Sequence, residues 1–363
     1  MSNIENIDAN FKIESKVEAD GVCWFDAASS NFQIHGLLYD NDGYKRMDTQ
    51  VACNVNEGIK VLHRHTSGGR LTFETDSPYI AIHAVCEKTQ SVTMSLSGRA
   101  GFDMYLDRDK GLEFENVFAP PIHMVNNFEG IYYFREQPPH KVVLHFPLYN
   151  GVQKLYIGVK DGALLRPYSP YLQKAPVVFY GSSITQGGCV SRPGNSYPAI
   201  YSRISRNDFI CLGFSGSAHG EEAMAQYIAS LPMSMFVLDY DHNDCDNLSR
   251  LQEQHELFYK TVRLAHPDIP IIIMSAPYAA RTFYRSHPAN SKKILMETFK
   301  HAKTAGELVG FIDGETVFGE DRDAALADRI HPNDLGHLKM AHSVLRCARM
   351  LESCDTAKKA RDK

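Results

Sequence analysis

The chain has 363 residues, 44% of them apolar and 22% charged, enough for two domains at about 100–200 residues each and too balanced for wholesale disorder. A formal charge of −5 offers no basic field to phosphate backbones or anionic membranes, which disfavours both as partners and leaves small or neutral substrates. The densest apolar run, Ile269 to Met274, is interrupted by Pro270 and too short to span a membrane. The start, Met1 to Asp8, carries acids and amides where a secretory signal needs a basic start and an apolar core. The cysteines Cys23, Cys53, Cys86, Cys189, Cys211, Cys245, Cys347 and Cys354 form no C-x-x-C pair and no dense framework. Both features predict a cytoplasmic protein with reduced thiols.

From about Val17 to Val159, short runs rich in β-branched residues alternate with Gly, Asn, Asp and Pro, and helical periodicity is scarce. Leu71–Thr75, Ile80–Val85, Val92–Leu96 and Val142–Phe146 are examples, and together they predict an all-β sandwich or jelly roll over residues 1–165. Residues 166–175, with Pro167 and Pro170, read as a linker. Beyond it the compact runs Val177–Tyr180, Phe209–Leu212, Met235–Asp239, Ile269–Met274 and Val309–Ile312 suit strands covered on both faces. Helical patterns at Glu221–Ala229, Leu248–Ala265 and Leu335–Leu351 lie between or after them. This alternation predicts a parallel α/β domain over residues 176–354, with a charged tail at 355–363 and chemistry at the carboxyl ends of the strands. No internal repeat is visible.

The stretch after the first of these strands, Tyr180-Gly181-Ser182-Ser183-Ile184-Thr185-Gln186-Gly187-Gly188, can present Ser183 at the top of the sheet beside a helix start. A plain turn is the bland alternative, and no Gly-Lys-Ser/Thr follows to make a nucleotide loop. A serine nucleophile needs a base and a group that orients it, and Asp328-Arg329-Ile330-His331 supplies both within four residues. An oxyanion needs donors, for which the Ser183 and Gly216 backbone N–H groups and the Asn243 amide are the candidates.

These blocks resemble those of the SGNH or GDSL-type hydrolases. Gly181–Thr185 looks like the first block, Phe214–Gly216 the second, Asp241–Asp244 the third and Asp328–His331 the last. The resemblance implies a flavodoxin-like three-layer α/β/α hydrolase domain with Ser183, His331 and Asp328 catalytic and Ser183, Gly216 and Asn243 around the oxyanion. Ser182, Cys211 and Asp241 stand where the family usually has aspartate, often has asparagine and usually has glycine. Gly101-Phe102-Asp103-Met104-Tyr105 is similar to the Gly-x-Asp-Leu-Tyr signature of a β domain preceding some bacterial hydrolases, an arrangement similar in outline to two-domain carbohydrate esterases.

The resemblance implies a serine esterase for short acyl, above all acetyl, groups on small carbohydrate esters, with no cofactor and no metal. An acyltransferase, a lipase or thioesterase, and a silent carbohydrate-binding protein are the alternatives. Four further residues are weighed for substrate binding. His242, inside the third block, borders the substrate or plays a structural role, Trp24 with Phe25 and Tyr44 forms a sugar platform or core, and Asp103 and Tyr105 reach the hydrolase domain or close a turn. His63 and His65, two apart on a strand over Val61–Thr66, read as a structural pair rather than a metal site, and Cys189 has no base of its own. No sequence feature indicates an oligomeric state.

Overall fold

The computed structural model describes residues 16–87, 93–121, 127–173, 175–277 and 288–361. The start Met1–Asp8, Val92 and the last two tail residues lie outside these. Residues 22–167 form two antiparallel sheets. One runs β1 (Val22–Asp26), β11 (Val152–Lys160), β6 (Tyr79–Cys86), β9 (Asn127–Tyr133). The other runs β12 (Leu165–Pro167), β5 (Arg70–Thr75), β10 (His140–His145), β7 (Phe102–Arg108), β8 (Gly111–Phe118), with β2 (Gln33–His35) also paired to β5. A separate hairpin joins β3 (Leu38–Asp40) to β4 (Gly43–Lys45). Side chains alternate across each strand, so Ile80 and Ile82 of β6 and Leu155 and Ile157 of β11 share a core with Leu71 and Phe73 of β5 and Val142 and Leu144 of β10.

Three helices interrupt the expected all-β region. α1 (Thr49–Val55) and α2 (Glu57–Leu62) start where the side-chain oxygens of Asp48 and Asn56 accept the N–H groups of Gln50, Val51 and Ile59. His63 is therefore the C-cap of α2, its N–H returning to the Ile59 carbonyl, and not a strand residue. Ser95 likewise caps α3 (Leu96–Ala100), where an extended run was expected. A short apolar run fits either state, and capping decided it here.

Five parallel strands follow: β13 (Val177–Gly181), β14 (Phe209–Gly213), β15 (Met235–Asp239), β16 (Ile271–Met274) and β17 (Val309–Ile312), in the spatial order β14-β13-β15-β16-β17. That is the flavodoxin-like order, with its switch point between β13 and β15. Val178, Tyr180, Phe236 and Leu238 point to α6 (Glu222–Ser230), α7 (Leu248–Ala265) and α8 (Pro288–Thr304), and Met47, Ala52 and Ile59 around α1 and α2 join the same core. Val177, Phe179, Met235 and Val237 point the other way, to α5 (Tyr197–Ser205) and α10 (Asp334–Arg361). Between these lie α4 (Ser183–Gln186) and α9 (Gly314–Val317). Residues 355–361, expected as a separate tail, continue α10, as the good helix formers Ala357, Lys358, Lys359 and Ala360 allow. Among the described residues no helix is long and apolar enough to cross a membrane.

The two parts meet through buried polar groups. Asp103, fully buried, accepts the Gly194 N–H at 2.9 and 3.1 Å and the Arg192 guanidinium at 2.9 Å. Burial pushes its carboxyl up to about 6 against the opposing pull of Arg192 and the Gly194 N–H. The Tyr105 hydroxyl meets Arg203 at 3.1 Å and also Arg192. The Gly-x-Asp-x-Tyr segment is thus a joint between domains and offers no surface to a substrate. Asp103→Ala strands two donors and is expected to lower stability by about 3–5 kcal/mol, read as a lower urea midpoint. Lys60→Ala, which removes only the exposed Lys60–Glu57 pair, is expected to change it by less than about 1 kcal/mol.

Candidate active site

Ser183 opens α4 directly above β13, where the Ser182 hydroxyl caps the helix by accepting the Ile184 N–H at 3.2 Å. Its side chain sits 2.9 Å from Nε2 of His331, and Nδ1 of the same ring lies 2.9 Å from Oδ2 of Asp328. A carboxylate only accepts, so the imidazole proton belongs on Nδ1, leaving Nε2 to accept from the serine. Oδ1 of Asp328 accepts the Ile330 and His331 N–H groups, both at 2.7 Å. Burial raises the carboxyl, but these bonds and the imidazole outweigh it and hold it below the usual carboxylate range. A tight turn therefore carries both base and orienting acid, and the relay needs no long-range alignment beyond one serine–histidine contact.

The loop after β14 faces this serine. Gly216 sits at φ +63, the left-handed region that favours glycine, and a Cβ there would meet nothing within 4 Å, so its backbone is open to an approaching group. Neither the Ser183 nor the Gly216 N–H has an acceptor among the described residues. The Asn243 amide, by contrast, donates to the carbonyls of Phe214 at 3.2 Å and Ala218 at 3.0 Å, both in that loop. In this state Asn243 fastens the loop that presents Gly216 instead of pointing a free donor at an oxyanion. A hydrogen-bonded Ser–His–Asp chain, with backbone N–H groups nearby in sequence and sheet order that have no acceptor among the described residues, has the parts that acyl transfer calls for.

Residues 174–349 match the GDSL-like lipase/acylhydrolase family, and residues 22–165 match the N-terminal domain of SGNH-hydrolase-type esterases. The carboxy-terminal domain is thus similar to the GDSL-like lipase/acylhydrolase family. Three solved structures share the two-domain fold of this chain. A candidate GDSL-like lipase from Bacteroides ovatus is 26% identical with a TM-score of 0.83, over 92% of this chain and 98% of the other. A salicylyl-acyltransferase from a tetracycline biosynthetic pathway is 20% identical with a TM-score of 0.77, over 92% and 99%. A family two carbohydrate esterase from Clostridium thermocellum is 15% identical with a TM-score of 0.60, over 86% and 96%. No curated protein matches the sequence.

The remaining singled-out residues fall in different places. His242 is buried in the third block, where burial and the neighbouring His331 push its pKa down to about 4, so it is neutral at pH 7. Trp24 lies on β1, packed edge-on to His83 with ring centres 6.3 Å apart, in the sheet that does not carry the Asp103 joint. Cys189, Asp328 and His331 are the one group of metal-ligand types found among the described residues. Its aspartate and histidine are committed to the relay, and the Cys189 thiol, 3.9 Å from Asp328, is pushed up to about 11 by burial and that carboxylate. His63 bonds Thr49 and the Lys60 carbonyl, and His65 bonds Gln186, so the pair shares no ligand position.

Several residues around the candidate site carry no motif. The Tyr149 hydroxyl, from the β domain, donates to the Ser183 carbonyl at 3.0 Å. The fully buried His337, pushed down to about 4 by burial, accepts the Tyr197 N–H and donates to the Gly188 carbonyl at 3.2 Å. Asp241, at the position usually glycine, accepts the Ala276 N–H at 3.2 Å and the Ser291 hydroxyl at 3.1 Å, joining the loops after β15 and β16. Gly188 sits close against the site, since a Cβ there would lie 3.0 Å from the His331 ring and 3.1 Å from the Ser183 carbonyl and a neighbour would have to shift by a few tenths of an ångström. Gly188→Ala is expected to slow fluorophosphonate labelling of Ser183 by about tenfold or more, measured by intact-protein mass spectrometry, because it displaces the base.

Proposed function

We propose that this protein is a serine esterase that removes short acyl groups, acetyl foremost, from carbohydrate esters in the cytoplasm. The observation that carries the reading is the Ser183–His331–Asp328 chain, with both contacts at 2.9 Å. Ser183 Oγ attacks the ester carbonyl carbon as its proton passes to Nε2 of His331. The imidazolium is stabilised by the ionised Asp328, and the carbonyl oxygen becomes an oxyanion held by the two N–H groups. Collapse breaks the bond to the alcohol oxygen, which takes the proton from His331 and leaves. Water, deprotonated by the same imidazole, then attacks the acyl-serine and releases the acid, returning the proton to Ser183.

The carbohydrate part of the reading draws on the fold shared with a family two carbohydrate esterase. The acyltransferase fold neighbour supports a second reading in which an alcohol replaces water in the last step.

A series of aryl esters from acetyl to octanoyl, followed by acetylated xylo- and manno-oligosaccharides under mass spectrometry, tests both. The expected result is turnover highest for acetyl, stepwise loss of acetyl mass from the sugars, and a fall of at least about a thousandfold with Ser183→Ala. Full activity in Ser183→Ala would remove the nucleophile assignment. Acyl appearing on an added sugar acceptor faster than in free acid selects the transferase.

A further inference from the structure

An oxyanion donor is useful only if it is fixed relative to the nucleophile, and the Gln186 side chain links the two frames. Gln186 is fully buried at the last turn of α4, three residues after Ser183. Its N–H donates to the Ser182 carbonyl at 3.0 Å and its own carbonyl accepts the Ser67 hydroxyl at 2.6 Å. Its side-chain oxygen accepts the N–H of Ser215, the residue before Gly216, at 3.0 Å. Its side-chain nitrogen donates to the Leu148 carbonyl and to Nδ1 of His65, each at 3.2 Å, both in the β domain.

The partners dictate which way the amide points. The Ser215 N–H can only donate and the Leu148 carbonyl can only accept, so a flipped amide would face like against like twice. Burial and the nearby Arg46 push His65 down to about 3, which keeps its ring neutral and able to accept at Nδ1. All four groups are thus mutually satisfied in one arrangement only.

We propose that Gln186 is a positioning residue for the acyl-transfer reaction, setting the Gly216 N–H against Ser183 by tying Ser215 to the helix that carries the nucleophile and to His65 of the β domain. This rests on the serine-esterase reading above. Removing the amide leaves the nucleophile and its base in place while the oxyanion donor loses its brace, so the loss falls on the transition state more than on substrate binding.

The test compares wild type, Gln186→Met, which keeps the side-chain length, and Asp107→Asn, which weakens the separate Asp107–Arg206 pair between the domains. The readouts are kcat and KM for an acetyl aryl ester, inhibition by a boronic acid that forms a tetrahedral serine adduct, and thermal unfolding. For Gln186→Met, kcat per folded molecule is expected to fall at least about tenfold with KM within about threefold and boronic-acid affinity falling in step. Asp107→Asn is expected to unfold at a lower temperature with kcat unchanged. A Gln186→Met enzyme whose kcat per folded molecule and boronate affinity stay within twofold of wild type overturns the proposal, as does an equal loss in Asp107→Asn. Absence of Ser183-dependent turnover in wild type across the ester series instead overturns the esterase reading itself.

Discussion

The loop Gly213–Ala218 can show an N–H to the outside because most other polar groups along it are already satisfied, some by backbone carbonyls and five by side chains from elsewhere. Arg46 of the β domain donates to the Gly213 carbonyl and lies 4.5 Å above the Phe214 ring. Asn56, the cap of α2, donates to the Ser217 carbonyl at 2.9 Å. Asn243 holds the Phe214 and Ala218 carbonyls, and Gln186 holds the Ser215 N–H. A short loop pinned at five groups has little freedom left, and pre-organised donors of that kind stabilise a developing charge without reorganising. The geometry at Ser183 therefore depends on residues that begin more than a hundred positions earlier in the chain.

Burial governs the charges around this frame. Arg46 is wholly enclosed and its pKa falls to about 10, which still leaves it ionised at neutral pH and able to serve carbonyl oxygens. Under the third block, burial and then mutual repulsion with Asp241 raise Asp239 well above the usual carboxylate range. Burial, more than any neighbour, takes Asp241 to about 7. Asp239 accepts the Thr185 and Tyr197 hydroxyls at 3.0 and 3.1 Å, so the floor beneath α4 is a polar network, not an apolar one. Such a network specifies a single arrangement when its members are paired.

The parallel sheet was legible because strands covered on both faces leave compact apolar runs, and the four blocks because acyl transfer calls for particular residue types at strand ends. The joint made by Asp103 and Tyr105 was open between two readings, and only packing could choose, since its partners Arg192, Gly194 and Arg203 lie about ninety residues away. Arg46 and Tyr149 left no trace, because a buried donor to a backbone carbonyl needs no motif. The helices α1 and α2 were missed for a local reason: their caps, Asp48 and Asn56, look like ordinary turn residues until the following N–H groups are seen to close on them. Trp24 was open between a sugar platform and core packing, and the topology puts it beside His83 on the sheet that does not carry the Asp103 joint.

The strand β14 has a neighbour only on the β13 side, so its outer row of carbonyls lies at an open edge of the parallel sheet. Arg70 covers the Phe209 carbonyl at 3.0 Å and Arg46 covers those of Cys211 and Gly213, alternate residues along that edge. Two guanidinium groups thus do what an additional strand would otherwise do. An uncovered edge of this kind is a template for pairing with a second chain. The β domain consequently guards its companion against self-association, and the hydrolase fold separated from it would be left with an adhesive margin.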